Sequence, residues 1–273
     1  MPKLPQIKRS RRKDNPEARM SIGDHLRELR QRLFVSAAGV MVMTVVGYLV
    51  YERAFALITR PIEQANAKGA HLTLNFDTIL ASFDMKLEVS IWLGILFSSP
   101  LWIYEFWAFV GPGMTRKEKA YTWAYGTAGL FLFLAGAALG IWVMPHAVAI
   151  LTGFIPNGPT AGVIGANLYL SFIMRMVLAF GIAFLLPEVL VALNMLGLMR
   201  GKTMLKGWRW AIVGIVTFMA IVNPMPDPWS MIFMSVPIAG LYFLACFISI
   251  RHDKRVERKR AELDAELEAA LAE

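Results

Sequence analysis

Few of the 273 residues carry groups suited to covalent chemistry. The four histidines, His25, His71, His146 and His252, are scattered, and no two have the spacing that sets metal ligands on one helix. The single cysteine, Cys246, lies inside an apolar run, where it reads as a small packing residue. Neither a Gly-x-Ser-x-Gly elbow nor a Gly-rich phosphate loop ending in Lys-Ser/Thr occurs. The long apolar runs contain no aspartate, and the charges at depth are few: Glu105, Glu188 and Arg175. These features predict a protein that is not an enzyme and holds neither metal nor cofactor. The remaining reactive groups are carboxylates and guanidiniums, whose chemistry is recognition.

Two patches combine such groups. The first is His25-Leu26-Arg27-Glu28-Leu29-Arg30-Gln31-Arg32-Leu33, just before a long apolar run. Leu26, Leu29 and Leu33 share one helical face, while Glu28 and Arg30 project elsewhere. By itself this also describes an amphipathic helix at a membrane interface with solvated charges. The second patch runs from Pro100 through Tyr104, Glu105, Trp107, Phe109, Pro112, Gly113 and Met114 to Glu118. By itself it also describes interfacial aromatic anchors, a Pro-Gly stop, and a carboxylate suited to the positive end of the next helix.

The elements that hold these patches are membrane spans. The chain is 56% apolar, with mean hydropathy +0.50, and carries a formal charge of +8. Such a charge on a soluble chain would suggest nucleic acid, but here it is concentrated between apolar runs, and no nucleic-acid partner is expected. About 20 apolar residues cross a hydrocarbon core of about 30 Å. Six runs fit or nearly fit: Leu33–Tyr51, Val89–Val110, Tyr121–Met144, Leu168–Leu198, Trp210–Val222 and Trp229–Ile250. In lipid each must be helical, because the backbone has no other partner. The fourth is long and contains Pro187, which predicts a kink or an extension beyond the bilayer; the fifth is short and ends in the hairpin Asn223-Pro224-Met225-Pro226-Asp227-Pro228.

All but Arg53, Arg60, Lys68, Lys86 and Arg175 of the 28 Lys and Arg residues lie in the two tails and in loops 111–120 and 199–209. The positive-inside rule therefore puts both termini in the cytoplasm. The expected fold is an all-α integral membrane protein with six transmembrane helices. Two longer outer segments, Glu52–Glu88 and Pro145–Asn167, are long enough for short helices and form a cap on the far side. The organisation is a basic tail over 1–20, a membrane domain over 21–250 and a charged, solvated helical tail over 251–273.

Together the two patches resemble the TatC family, the polytopic core of the twin-arginine protein translocase. The first matches the family's His-Leu-x-Glu-Leu-Arg-x-Arg-Leu segment completely. The second matches its Pro-x-x-x-Tyr-Gln-x-Trp-x-Phe-x-x-Pro-Gly-Leu segment and following glutamate, with Glu105 for Gln and Met114 for Leu. Arg60-Pro61-Ile62, the Leu168–Phe172 and Ala179–Gly181 segments, and the hairpin with Asp227 are similar to further family landmarks. The likeness covers about residues 21–250.

The resemblance implies a receptor in a bacterial-type inner membrane that accepts folded cargo bearing twin-arginine signal peptides. It implies single-span TatA and TatB partners, self-association in a larger complex, and transport driven by the proton-motive force. Glu28, Arg30 and Glu118 fall at its signal-binding positions, supported by Leu26, Tyr104, Glu105, Phe109 and Pro112. Pro61, Glu188 and Asp227 fall where partner docking or a buried polar group is implied. One departure is clear: the family often carries a glutamate two residues before the span-four proline, where this chain has Leu185, with Glu188 just after Pro187. Glu188 reads either as the replacement buried group or as an interfacial glutamate. The rival reading is a proton- or ion-coupled small-solute transporter, which would need a solute cavity with coupled ion sites; a third is a scaffold without ligand.

Overall fold

The computed structural model describes residues 22–67, 72–110, 116–152, 162–195, 197–222 and 228–272. It is built of helices α1 (Ile22–Ala67), α2 (Ala81–Phe97), α3 (Ser99–Val110), α4 (Arg116–Thr152), α5 (Ala166–Met195), α6 (Gly201–Lys206), α7 (Trp208–Val222) and α8 (Pro228–Ala272). Two short strands, β1 (Leu72–Asn75) and β2 (Gly162–Gly165), complete it.

Among the described residues four helices are long and apolar enough to cross a membrane: Gly23–Ala67, Trp123–His146, Ala166–Met195 and Met234–Leu271. Helices α2 and α3, bent by 52° at their junction, make a fifth if they act as one broken span. The α7 helix is apolar but shorter, at 15 residues.

The expected second run thus breaks at Ser98. Pro100 has no N–H to give to the carbonyl one turn back, and its ring crowds that turn. Beside the break the Trp102 indole donates to the Ile95 carbonyl at 3.0 Å. Pro61, Pro145, Pro187 and Pro237, in contrast, lie within unbroken helices. The expected fourth run ends early, at Met195, because Gly197 takes φ +73. Gly197 N–H then bonds Asn194 O at 2.9 Å and Leu198 N–H bonds Leu193 O at 3.0 Å, the paired closure of a left-handed helix stop.

The outer cap differs from expectation in kind. Among its described residues the outer segments form no short helices of their own. Instead α1 continues to Ala67, roughly 70 Å in all at 1.5 Å per residue, far more than a bilayer needs. The segments meet as a parallel β1–β2 ladder pairing Leu72 with Gly162 and Asn75 with Gly165. Asn66 sets the register: its amide donates to Leu72 O at 2.9 Å and accepts from Leu72 N–H at 2.8 Å. Tyr169 at the start of α5 donates to Ile58 O at 2.8 Å, tying the cap to α1.

Small residues let the helix backbones approach, as membrane packing requires. A Cβ on Gly47 would come within 2.6 Å of the Ser90 carbonyl oxygen, joining α1 to α2. Gly136 and Gly140, one turn apart on α4, face Phe180 and Val177 of α5. The buried core follows these contacts, with Val89, Phe133, Ile173, Phe180 and Ile238 almost fully enclosed. At the other end α8 runs on through the charged tail to Ala272, with no break at residue 250.

Candidate functional site

The two sequence patches come together at the end of the bundle where α1 begins and α3 ends. Arg32 joins them. Its Nε and Nη2 donate to Glu28 Oε1 at 3.0 and 2.6 Å, and its Nη1 donates to Glu105 Oε2 at 2.7 Å. The contact to Glu28 is one helical turn long; the contact to Glu105 crosses from α1 to α3. One guanidinium thus holds two carboxylates, with side-chain exposures of 25% for Arg32, 22% for Glu28 and 16% for Glu105. Burial alone lowers the Arg32 pKa, but the hydrogen bonds and charges of Glu28 and Glu105 outweigh it and raise it above the ordinary value. The cluster carries one net negative charge. Among the described residues Glu28 Oε2 is buried without a hydrogen-bond partner.

Aromatic contacts fix the same corner. His25 stacks on Phe109, with ring centroids 4.4 Å apart and planes 13° apart. Tyr104 meets Trp123 at 5.2 Å, bringing α4 against α3, and Trp107 stacks on Tyr125 at 5.0 Å. Leu26 is exposed at 59%, and Arg30 is exposed beside it. The structure therefore gathers Glu28, Glu105, Tyr104 and Phe109. Glu118 falls in the first turn of α4, but its side chain lies outside the described residues, as do Pro112 and Asp227. Pro61 is buried within α1, near the cap and far along the chain from this corner.

Two members of the site were missed from sequence. Arg32 was legible as the residue one turn after Glu28, but its second bond, to Glu105, spans 73 positions and has no local signal. The stack of His25 on Phe109 is equally non-local.

Glu188 lies apart, on α5. It is 6% exposed, so it is a buried group and not a solvated interfacial one. Among the described residues neither carboxyl oxygen makes a hydrogen bond of good geometry, the Gly129 backbone N–H being the polar group beside it. The notch that accepts it exists because Gly129 has no side chain: a Cβ there would lie 2.6 Å from Glu188 Oε2 and 3.2 Å from both Ile103 Cγ2 and Trp107 Nε1. A cavity of about 720 Å³ adjoins this notch, walled by Ile103, Trp107, Leu185 and Phe218 among other apolar residues. Leu185 faces that cavity, whereas Glu188 turns toward α4. Among the described residues no group of three or more His, Cys, Asp or Glu could hold a metal ion.

The family model of the Sec-independent protein translocase protein TatC matches residues 24–237. A Sec-independent protein translocase protein TatC of Xylanimonas cellulosilytica is 43% identical over 244 residues, covering 89% of this chain and 88% of the relative. Its counterpart in Rothia mucilaginosa is 37% identical over 254 residues, covering 92% and 86%. A crystal structure of the twin-arginine translocase receptor TatC in the detergent DDM superposes with a TM-score of 0.74 at 27% identity, covering 82% of this chain and 99% of that one.

Proposed function

The chain belongs to the TatC family of Sec-independent protein translocase proteins, a multi-pass membrane subunit of a twin-arginine translocase, and from that premise we propose that it is the receptor for twin-arginine signal peptides. The signal's arginines bind at the corner where α1 meets α3 and α4, using Glu28, Glu118 and Arg30. Leu26, Tyr104, Glu105, Phe109 and Pro112 shape the patch around them. The observation that carries this reading is the free Oε2 of Glu28, held in place by Arg32 yet left without a donor. A buried carboxylate oxygen without a partner costs about 1–3 kcal/mol, which an incoming guanidinium relieves. Arg32 occupies only the other oxygen of that carboxylate, its Nε and Nη2 both donating to Oε1.

The remainder of the reading concerns topology and assembly. The chain spans a bacterial-type inner membrane six times with both termini cytoplasmic, α2 and α3 forming one broken span and the short α7 another. Single-span TatA and TatB partners dock around Asp227, Pro61 and the outer ends of α7 and α8. Glu188 supplies a polar group to a partner helix or signal peptide that reaches its notch. Folded cargo then crosses at the expense of the proton-motive force, in a complex holding more than one copy of this chain. The apolar lining of the cavity beside Glu188 favours this over the small-solute transporter, whose cargo would need polar ligands.

Complementation tests the proposal. The chain and its own partners are expressed in cells lacking the native subunit, and export of a folded twin-arginine reporter is followed, with Glu118→Ala alongside. Export that falls sharply in the variant at equal membrane levels supports function and site together. No export by a stably inserted wild type overturns the receptor reading, and export untouched by the variant removes Glu118 from the site.

A further inference from the structure

A second open cavity, of about 750 Å³, lies at the other loop on the same end of the bundle, walled by Lys202, Leu205, Lys206, Trp208, Arg209 and Phe243. We propose that it binds an anionic phospholipid, with the headgroup phosphate held by Lys202, Lys206 and Arg209 and the acyl chains laid against Leu205, Trp208 and Phe243.

Three observations carry this. First, the cations are uncompensated: none of the three forms an ion pair among the described residues. Three like charges around one hollow repel each other until an anion enters it. Arg209 instead rests over the Trp208 ring, 5.7 Å from its centroid.

Second, the platform is fixed before any ligand arrives. Asp253 on α8 accepts from the Gly201 N–H at 2.7 Å and from the Asn194 amide at 2.8 Å, holding the start of α6. Tyr242 on α8 donates to the Met204 carbonyl at 2.5 Å, holding its end. Gly201 itself is pressed so close to α8 that a Cβ would lie 2.5 Å from the Ile250 nitrogen. Lys202 and Lys206, one turn apart on a helix pinned near both ends, are thus set on one side of a rigid element.

Third, the hollow straddles a polar–apolar boundary. The cations sit where basic α6 gives way to α7, which after Arg209 is uncharged and apolar but for Thr217. Leu205, Trp208 and Phe243 are each about two-fifths exposed, and Trp210 beside them is 82% exposed, as expected of residues that meet lipid at the interface. A free phosphate would satisfy the charges and leave that apolar wall uncovered. A phospholipid covers both, as basic pockets between spans do for anionic headgroups. Because α7 is short for a full bilayer, a lipid held at this edge also fills the mismatch.

The test uses the full chain in nanodiscs of phosphatidylcholine with phosphatidylglycerol, counting retained lipids by native mass spectrometry after gentle detergent release. The wild type is expected to retain phosphatidylglycerol selectively. The variant Lys202→Gln/Lys206→Gln/Arg209→Gln is expected to lose it, by on the order of fivefold per cation removed. Phe243→Ala, which keeps every charge, is expected to weaken lipid retention while leaving inorganic phosphate binding unchanged. A control variant, Lys254→Gln/Arg255→Gln/Arg258→Gln on the α8 tail, removes as many charges outside the cavity and is expected to retain the lipid. Equal loss from the cavity and tail variants, no preference over phosphatidylcholine in the wild type, displacement of the lipid by millimolar inorganic phosphate, or selective capture of an added acidic peptide would each overturn the proposal.

Discussion

Two sites in this molecule place a glutamate near Trp107 and Ile103, or near the helix that carries them, and they solve opposite problems. At the α1–α3 corner, Glu28 and Glu105 share Arg32, each within hydrogen-bonding reach of it, and one oxygen is spare. At the α4–α5 notch, Glu188 is enclosed, and among the described residues neither oxygen makes a hydrogen bond of good geometry. The first site is held in register by its own internal cation and can exchange a contact for an arriving one. The second keeps a costly group in place by shape alone, through the missing side chain of Gly129. The corner balances its charges with an internal cation, whereas the notch holds an enclosed carboxyl inside the bundle.

Breaking the corner should give the largest effect. Glu28→Gln is expected to weaken binding of a twin-arginine peptide by roughly tenfold or more, the loss of one charged hydrogen bond, measured by titration of a labelled signal peptide into detergent-solubilised protein. Unchanged affinity would show that the spare oxygen is not the docking point.

Filling the notch comes next. Gly129→Leu is expected to destabilise the bundle by about 1–3 kcal/mol through overpacking, read as a lower unfolding temperature in detergent. Gly126→Ala, three residues earlier, serves as the comparison: its Cβ would meet Tyr104 at 3.9 Å, an ordinary contact, and little change is expected.

The two sites should also respond oppositely to removal of their carboxylates. Glu188→Leu is expected to stabilise the detergent-solubilised protein by about 1–3 kcal/mol, because it deletes a buried group without a hydrogen bond of good geometry, and yet to lower reporter export in cells. A gain in stability with export unchanged would leave the notch as a packing accident with no part in transport.

The smallest effect is expected from Glu105→Gln, which restores the residue usual in the family pattern. The pair it breaks is partly exposed, so the stability cost should stay below about 1 kcal/mol. The signal-binding patch loses its net negative charge, so peptide affinity should fall by a few-fold, with a weaker dependence on salt. Affinity that rises instead would mean that Arg32 competes with the signal peptide.

Much of this was legible in the order of residues. The apolar runs dictated helices, because a backbone in hydrocarbon must satisfy itself. The motif segments marked two stretches that the fold brings together through Arg32 and Glu105. What local pattern could not supply was whatever depends on two distant segments meeting. The outer segments read as room for short helices, because nothing in Leu72–Asn75 announces a partner ninety residues later; the ladder forms only when α1 and α5 bring the two together. Pro187 predicted a kink or an extension beyond the bilayer; α5 carries it inside one helix that ends at Met195.

The sequence by itself determined which stretches are helical, where charge collects and which family's motifs the chain carries, because these follow from periodicity, hydropathy and residue type within a few turns. Only the tertiary structure decided that Arg32 reaches Glu105, that Glu188 is enclosed rather than solvated, and that Lys202, Lys206 and Arg209 surround a hollow. Each of those outcomes depends on the close approach of separate helices, set by small residues such as Gly47, Gly129 and Gly201 whose meaning appears only once their neighbours across the interface are known.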